Sequence, residues 1–559
     1  MQDKYSAGVV EHHAQILTER AWHLRSPNWR DLVALALLLA LILLLGSGAH
    51  QMLGPFATAQ QPEISLSAAA LPAYALRTTI RMLAAIVASL IFTFTYATLA
   101  AKSRRAEMVL IPLLDVLQSV PVLGYLSFTV VFFVSLFPGS ILGPELAAIF
   151  AIFTSQAWNM AFSFFQALRT VPHDLAEASR SFKFSAWQYF WRVEVPFAMP
   201  GLIWNTMMSM SGGWFFVVAS EAISVGNLQI SLPGIGSYVA RAIQERNLHA
   251  VWWAILAMTV TILAYDQLLF RPLVAWADKF RYEQTAAQSV PRSWILSLLR
   301  QTNLLRDFGQ PIGVMIQSLL RARLAFLPPH IRIGREVPKS TVIDLLWYVT
   351  LILAIGYIAA SLWKYTGAAL SWSDVSDAVR NGGLTLLRVT VLIATATVIW
   401  VPIGVAIGLR PSLAEKVQPL AQSLAAFPAN LLFPIAVYLI VRFDLSPVIW
   451  LSPLLILGTQ WYILFNVIAG ASAFPSDFRE AAASFRIPGW HWWRDVILPG
   501  IFPYYVTGAI TASGGAWNAS IVSEAVSWGS TKLTGADWAP TSHNRRKLVI
   551  TRGLLLALP

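Results

Sequence analysis

Apolar runs of about 20 residues, the length a helix needs to cross a bilayer, dominate this chain. They fall near 31–48, 78–100, 109–136, 142–165, 197–220 and 250–270, and again near 343–362, 384–408, 417–441, 447–469 and 500–523. A segment in lipid must satisfy its own backbone hydrogen bonds, and at such lengths only a helix does so. The short alternating strands of a membrane β-barrel are absent from the sequence. Composition agrees. Hydrophobic residues make up 56% of the 559 residues and charged residues 12%, against about 25% charged in a soluble domain. The sequence therefore predicts an all-α polytopic membrane protein of about eleven spans.

The charge pattern sets the topology. The formal net charge is +12, but the basic residues lie between apolar runs, as the positive-inside bias requires, and this outweighs a nucleic-acid reading. Arg20, Arg25 and Arg30 precede the first run, Lys102, Arg104 and Arg105 follow the second, and Arg169, Arg180, Lys183 and Arg192 follow the fourth. The connector 271–342 holds eleven Lys or Arg against four Asp or Glu, whereas residues 47–76 carry one charge, Glu63. All basic loops share one side if the N-terminus is cytoplasmic. The polar stretch Met1–Arg30 is not a cleavable signal, whose apolar stretch is short and ends in a small-residue cleavage site. With no cysteine, disulfides, thiol catalysis and cysteine-bound metal are excluded.

The chain also repeats itself. EASRSFKFSAWQYFWRVEVP, from Glu177 to Pro196, returns as EAAASFRIPGWHWWRDVILP, from Glu480 to Pro499, 303 residues later. Further on, Trp214, Ser220, Glu221, Ala222, Ser224 and Gly226 match Trp517, Ser523, Glu524, Ala525, Ser527 and Gly529 at the same spacing. Upstream, Thr78, Arg81, Pro112 and Pro121 match Thr385, Arg388, Pro419 and Pro428 at a spacing of 307. The four extra residues of the first copy fall near Pro138 to Glu145, in an expected outer loop. Both halves start inside, so the repeat is parallel. The expected domains are a first half over 1–280 (core about 78–270), a basic cytoplasmic connector over 281–342, and a second half over 343–559 (core about 384–530). Within the connector, residues 311–327 are expected to form an amphipathic helix on the inner leaflet, or merely part of a tether.

The duplicated polar loop has the character of a docking element. Glu-Ala-Ala opens a good helix. Glu177 and Glu480 are expected near its start, where a carboxylate suits the positive helix end, with Asp174 and Asp477 as N-caps. Trp187, Tyr189 and Phe190, matched by Trp490, Trp492 and Trp493, would anchor the element at the membrane interface. Pro196 and Pro499 would restart the chain at the foot of the next span. These residues resemble the EAA loop of binding-protein-dependent ABC importer permeases. FWRVEVPFAMPG and LTLLRVTVLI are similar to the nitrate, sulfonate and taurine branch, and the likeness covers about 78–270 and 384–530. The resemblance implies two permease cores fused in one chain, moving a small solute such as an oxyanion or sulfonate. It implies ATPase subunits, in two copies, docked on Glu177, Ala178, Lys183, Pro196, Glu480, Ala481, Arg486 and Pro499. It further implies a periplasmic solute-binding protein and a bacterial inner-membrane location.

The chain departs from that pattern in two ways. The family glycine six residues after the Glu is Lys183 in one copy and Arg486 in the other, so the turn there is expected to differ and its docking groove to be more acidic. After Gly529 the second copy does not continue into a counterpart of span 250–270, so the last helix is expected to be missing and the activity of this polypeptide is in question. Glu221 and Glu524 are candidates for the transport path or a gate, since an ionisable group at membrane depth is suspect by default. They serve equally as hydrogen-bonded folding residues. No cofactor or metal site is expected: GREVPKST (Gly334–Thr341) lacks the glycine spacing of a phosphate loop, and His12, His13 and His23 lie in a polar tail without ligand spacing. ATP hydrolysis would then belong to a partner and the chain is not itself an enzyme. The alternatives are a secondary transporter, which needs coupling acids within its spans, and a decayed, non-transporting membrane scaffold.

Overall fold

The fold is described from a computed structural model covering residues 29–52, 63–280, 293–303, 341–367 and 371–534, part of 310–318, and excepting positions 121, 226–227, 473, 475, 488, 524 and 529–530. It is helical throughout, apart from two small antiparallel hairpins. Among the described residues, seven helices are long and apolar enough to cross a membrane, or eight if the bent pair Leu420–Ala426 and Ala429–Arg442 is one span. The expected eleven spans are thus not all unbroken apolar helices. The run at 109–136 is two helices, Arg104–Ser119 and Val122–Leu136. The run at 447–469 breaks into Pro447–Trp450, Ser452–Ile456 and Trp461–Ser472. Pro453 stands at the second position of the middle piece, where its missing N–H costs no helical bond.

Each half packs a trio of helices. In the first, Leu71–Lys102, Leu142–Arg169 and Val195–Glu221 meet along their lengths. In the second, Trp372–Gly408, Trp461–Ser472 and Leu498–Ser523 do the same. The leading helices Trp29–His50 and Leu345–Lys364 lie outside these cores, the second with none of its apolar window buried. Such faces suit lipid, which is as apolar as the side chains themselves.

The repeat extends to conformation. In each half a hairpin that the sequence reading did not foresee follows the third helix of the trio. Ala222–Val225 pairs with Leu228–Ser231, and Ala525–Trp528 pairs with Thr531–Thr534, in the same register. Only two residues, with glycine first, separate the strands in each copy, a spacing suited to a tight hairpin. The halves touch through matched contacts. The backbone N–H of Val122 donates to Asn518 Oδ1 (2.9 Å), and Asn430 Nδ2 donates to the carbonyl of Phe215 (3.0 Å). Phe215 and Asn518 are repeat partners, as are Val122 and the residue next to Asn430.

A buried ion network closes one end of the first half. Arg81 grips Glu145 with two parallel bonds (2.6 and 2.7 Å) and donates to Glu221 (2.7 Å) and to the carbonyl of Pro233 (3.1 Å). Glu221 also accepts from Thr78 (2.7 Å) and from the backbone of Gly236 (2.6 Å). All three charged side chains are essentially inaccessible. They join the second-to-third helical turns of Leu71–Lys102, the first turn of Leu142–Arg169 and the last turn of Val195–Glu221. Replacing Arg81 with Met is expected to lower stability by about 3–5 kcal/mol, because two buried carboxylates lose their cation. Thermal unfolding of the detergent-solubilised protein measures this, and a variant as stable as the parent would deny the network that role.

Candidate functional site: two coupling loops and a cavity between the halves

At the end of the bundle opposite Arg81, helix Leu142–Arg169 stops and a short helix, His173–Ser181, begins. The repeat equivalent is Ser476–Ser484. Two points correct the sequence reading. Pro172 occupies the N-cap position, and Asp174 lies inside the first turn without a capping bond. Glu177 and Glu480 stand at mid-helix, not at its start, and both are exposed. Asp477 falls in the first turn of its helix.

The two helices end in the same way. Lys183 and Arg486 have left-handed backbones, φ 53° and 50°. The N–H of Phe184 reaches back to Ser179 O (3.0 Å) and that of Lys183 to Arg180 O (2.9 Å), while Ile487 reaches Ala482 O (3.0 Å). This is the six-to-one closure of a Schellman cap, a site that favours glycine. Without the family glycine, both copies form a left-handed turn with a long cationic side chain on it. The exposed face then presents Glu177, Ala178 and Lys183 in one copy and Glu480, Ala481 and Arg486 in the other. Beside them stand Phe182 and Phe485, 72% and 80% exposed, which the sequence reading did not single out although they too are repeat partners.

Behind this face the chain is anchored. Tyr189 is buried, Phe190 packs on Phe164 and Trp191, and Trp492 packs on Phe474, whereas Trp490 stays exposed. Both copies then pass through a wider helical turn, Phe190–Glu194 and Trp492–Ile497, into the next long helix, with Pro196 and Pro499 at its second position. Buried Glu194 pairs with Lys102, and Arg169 with Glu107 (2.8 Å). The basic loops after the second and fourth spans thus meet at one end of the first half.

Between the halves lies a cavity of about 130 Å³. Mid-helix residues of Leu142–Arg169 and Val195–Glu221 form one wall, including Thr154, Trp158, Asn159 and Ser209, and Thr459, Tyr462, Gly514 and Asn518 belong to the other. None of its lining residues is charged. Glu221 is not among them: it is held in the Arg81 network. Its repeat partner Glu524 lies outside the described residues, as do His12, His13, His23, the stretch 334–340, most of 311–327 and the C-terminal residues 535–559. Among the described residues no cluster of His, Cys, Asp and Glu could hold a metal.

Two like helical cores thus share a cavity, and each carries an exposed loop between two of its long helices, the plan of a polytopic membrane protein built by internal repeat. The chain belongs to the family described as binding-protein-dependent transport system inner membrane component, which matches residues 93–270 and 399–542, more than half of the sequence. It is 34% identical over 137 residues to the glycine betaine/proline betaine transport system permease protein ProW of Escherichia coli, 24% of this chain and 36% of that protein. It is 23% identical over 182 residues to the bicarbonate transport system permease protein CmpB of Synechococcus elongatus, 33% of this chain and 59% of the relative. It is 24% identical over 140 residues to the nitrate import permease protein NrtB of Synechocystis sp., 25% and 50%. The chain thus spans between about a third and three fifths of these relatives. No solved structure matches it significantly.

A left-handed backbone costs a side-chain-bearing residue about 1–2 kcal/mol, partly offset in glycine by its greater unfolded freedom. Lys183→Gly combined with Arg486→Gly is expected to stabilise the loops by up to about 1 kcal/mol each. Limited proteolysis at the loops reads the effect, and faster cleavage than in the parent would contradict it.

Proposed function

We propose that this chain is the fused, two-core membrane permease of an ATP-driven importer for a small solute, gripped by a separate ATPase at its two coupling loops. The observation that carries the reading is the duplicated loop: the same short helix, the same left-handed turn and the same exposed Glu, Ala, Phe and cation in each half. Each core falls within one half, 1–280 or 343–559, joined by the 281–342 connector. The Glu177 loop connects the C-terminal end of one cavity-lining helix to the N-terminal end of the next, and the Glu480 loop does likewise in the second half. A push on either loop therefore moves both walls of that half together.

In this reading two ATPase copies bind, one per loop. Closure of the ATPase dimer on ATP moves the loops, and the difference in binding free energy between the two ATPase states shifts the permease between its two openings. The exposed Phe182 and Phe485 are the apolar anchors of docking, and Glu177, Lys183, Glu480 and Arg486 set its register by charge. A solute-binding protein delivers the substrate at the opposite face. The N-terminus and both loops face the cytoplasm, and the membrane is the bacterial inner membrane. No nucleic acid takes part. Nitrate, bicarbonate and betaines, which name the relatives' systems, are the solutes to test first.

Glu177→Ala with Glu480→Ala is expected to reduce capture of the cognate ATPase at least tenfold while membrane insertion stays intact. Phe182→Ala with Phe485→Ala should do the same. Affinity pull-down from solubilised membranes measures both, and full ATPase recovery with both double variants would refute loop docking.

A further inference from the structure

We propose that the base of the first half is a seat for an anionic phospholipid of the inner leaflet, its headgroup held by Arg30, Lys279 and Arg300. Three segments far apart in the chain meet there. The leading helix starts at Trp29 and Arg30. The closing helix of the first half, Leu248–Tyr265, continues through a wide turn and Arg271–Ala277 to end at Asp278–Phe280. A short connector helix, Trp294–Gln301, packs on both. Arg30 Nη1 donates to Gln301 Oε1 (2.5 Å), which ties the leading helix to the connector. The closing helix starts near the Arg81 network, where Tyr238 just ahead of it meets Tyr74 (6.2 Å), and its end Asp278–Phe280 packs back on Val195–Glu221. The junction therefore lies with the Glu177 loop, at the end that the basic loops assign to the inner leaflet.

The charges brought together here have one sign. Lys279 Nζ lies over the rings of Trp276 and Phe280 (4.5 and 4.6 Å). Burial, and then the charge of Arg300, holds it below the usual lysine range. Among the described residues no carboxylate lies within ion-pair distance of Arg30, Lys279 or Arg300. Asp31, next to Arg30, is buried and already engaged. Lys279 and Arg300 are exposed and Arg30 half-exposed, so an outside headgroup reaches all three. Like charges gathered by the fold repel one another until an anion completes them, and a phosphate diester offers the acceptor oxygens that guanidinium groups bind. The surroundings fit a lipid better than a free ion. Trp29 and Trp294 are 64% and 58% exposed, and they stand with Trp276 where the apolar helices 29–50 and 248–277 reach their ends, the level that suits indole rings. The connector helix is amphipathic: Ser297, Arg300 and Gln301 share one face, and Trp294, Ile295, Leu298 and Leu299 the other. The leading helix has only 12% of its apolar window buried, so a lipid bridging its base to the connector adds contact that its own packing lacks.

The test uses the full chain in detergent, a photoactivatable phosphatidylglycerol as probe, and mass spectrometry to map its adducts. Adducts are expected on residues 29–34, 274–280 and 294–301. Unlabelled phosphatidylglycerol should compete them away, and phosphatidylcholine or inorganic phosphate should not. Lys279→Gln with Arg300→Gln should cut labelling of these segments at least tenfold, in line with the effect of two surface cations on anionic-lipid binding, while the melting temperature stays near that of the parent. Arg104→Gln with Arg192→Gln removes the same charge from two other exposed positions at this end and should leave labelling unchanged. Labelling spread evenly over the basic loops, an equal loss in both double variants, or competition by phosphatidylcholine would each overturn the proposal. Competition by inorganic phosphate would overturn it in favour of a free-anion site. No ATPase or solute enters this measurement, so its failure leaves the permease reading standing.

Discussion

The pairing of Arg81 with Glu145 and Glu221 is the interaction on which the first half depends. Charges of this kind are costly in a membrane interior, and only full mutual satisfaction makes them tolerable. Here the arginine uses both edges of its guanidinium, and Glu221 is completed by Thr78 and Gly236. The network binds three long helices at one end of the bundle, and the Lys102–Glu194 and Arg169–Glu107 pairs hold the other. Between these fixed ends the helices present only neutral groups to the cavity. Charge and cavity are thus separate in the first half: both acids of the network are committed to Arg81, whereas a secondary carrier needs an acid free to take up and release its coupling ion.

The two halves share a plan and differ in execution. Thr385 is buried as Thr78 is, and Arg388 stands where Arg81 does, but no acid occupies the positions matching Glu145, which read VIWLS over 448–452. There the long helix of the first half is replaced by three short pieces. Gln460, in the last break, is used instead to bind Trp400 (3.0 Å). The first half is clamped by ions, and the second has an apolar core around Val405, Ile463, Val467 and Ile501.

Much of the duplicated loop could be read from residues alone. Its duplication, its helical character and its restart at Pro196 and Pro499 all follow from local rules of propensity and proline geometry, and the structure has each of them. What local rules missed is instructive. The N-cap assignment of Asp174 failed because Pro172 holds that position and Asp174 lies inside the first turn. The turn at Lys183 and Arg486 held despite the absent glycine, because closure bonds from Phe184 and Ile487 outweigh the strain of a left-handed side chain. Phe182 and Phe485 were passed over because an aromatic residue beside a membrane reads as an anchor, and only the fold shows that these two face outward.

A helical membrane protein in two like halves was legible from residue order, because apolar run length, basic loops and an internal repeat are properties of the chain read along its length. Tertiary structure alone decided the roles of the polar residues inside it. Glu221 became part of a closed clamp and Ser209, Thr459 and Trp158 became neighbours of one cavity because partners 60 to 300 residues apart were brought together by packing. In lipid the fate of a polar group depends on which partner it meets, and spacing along one helix does not carry that information.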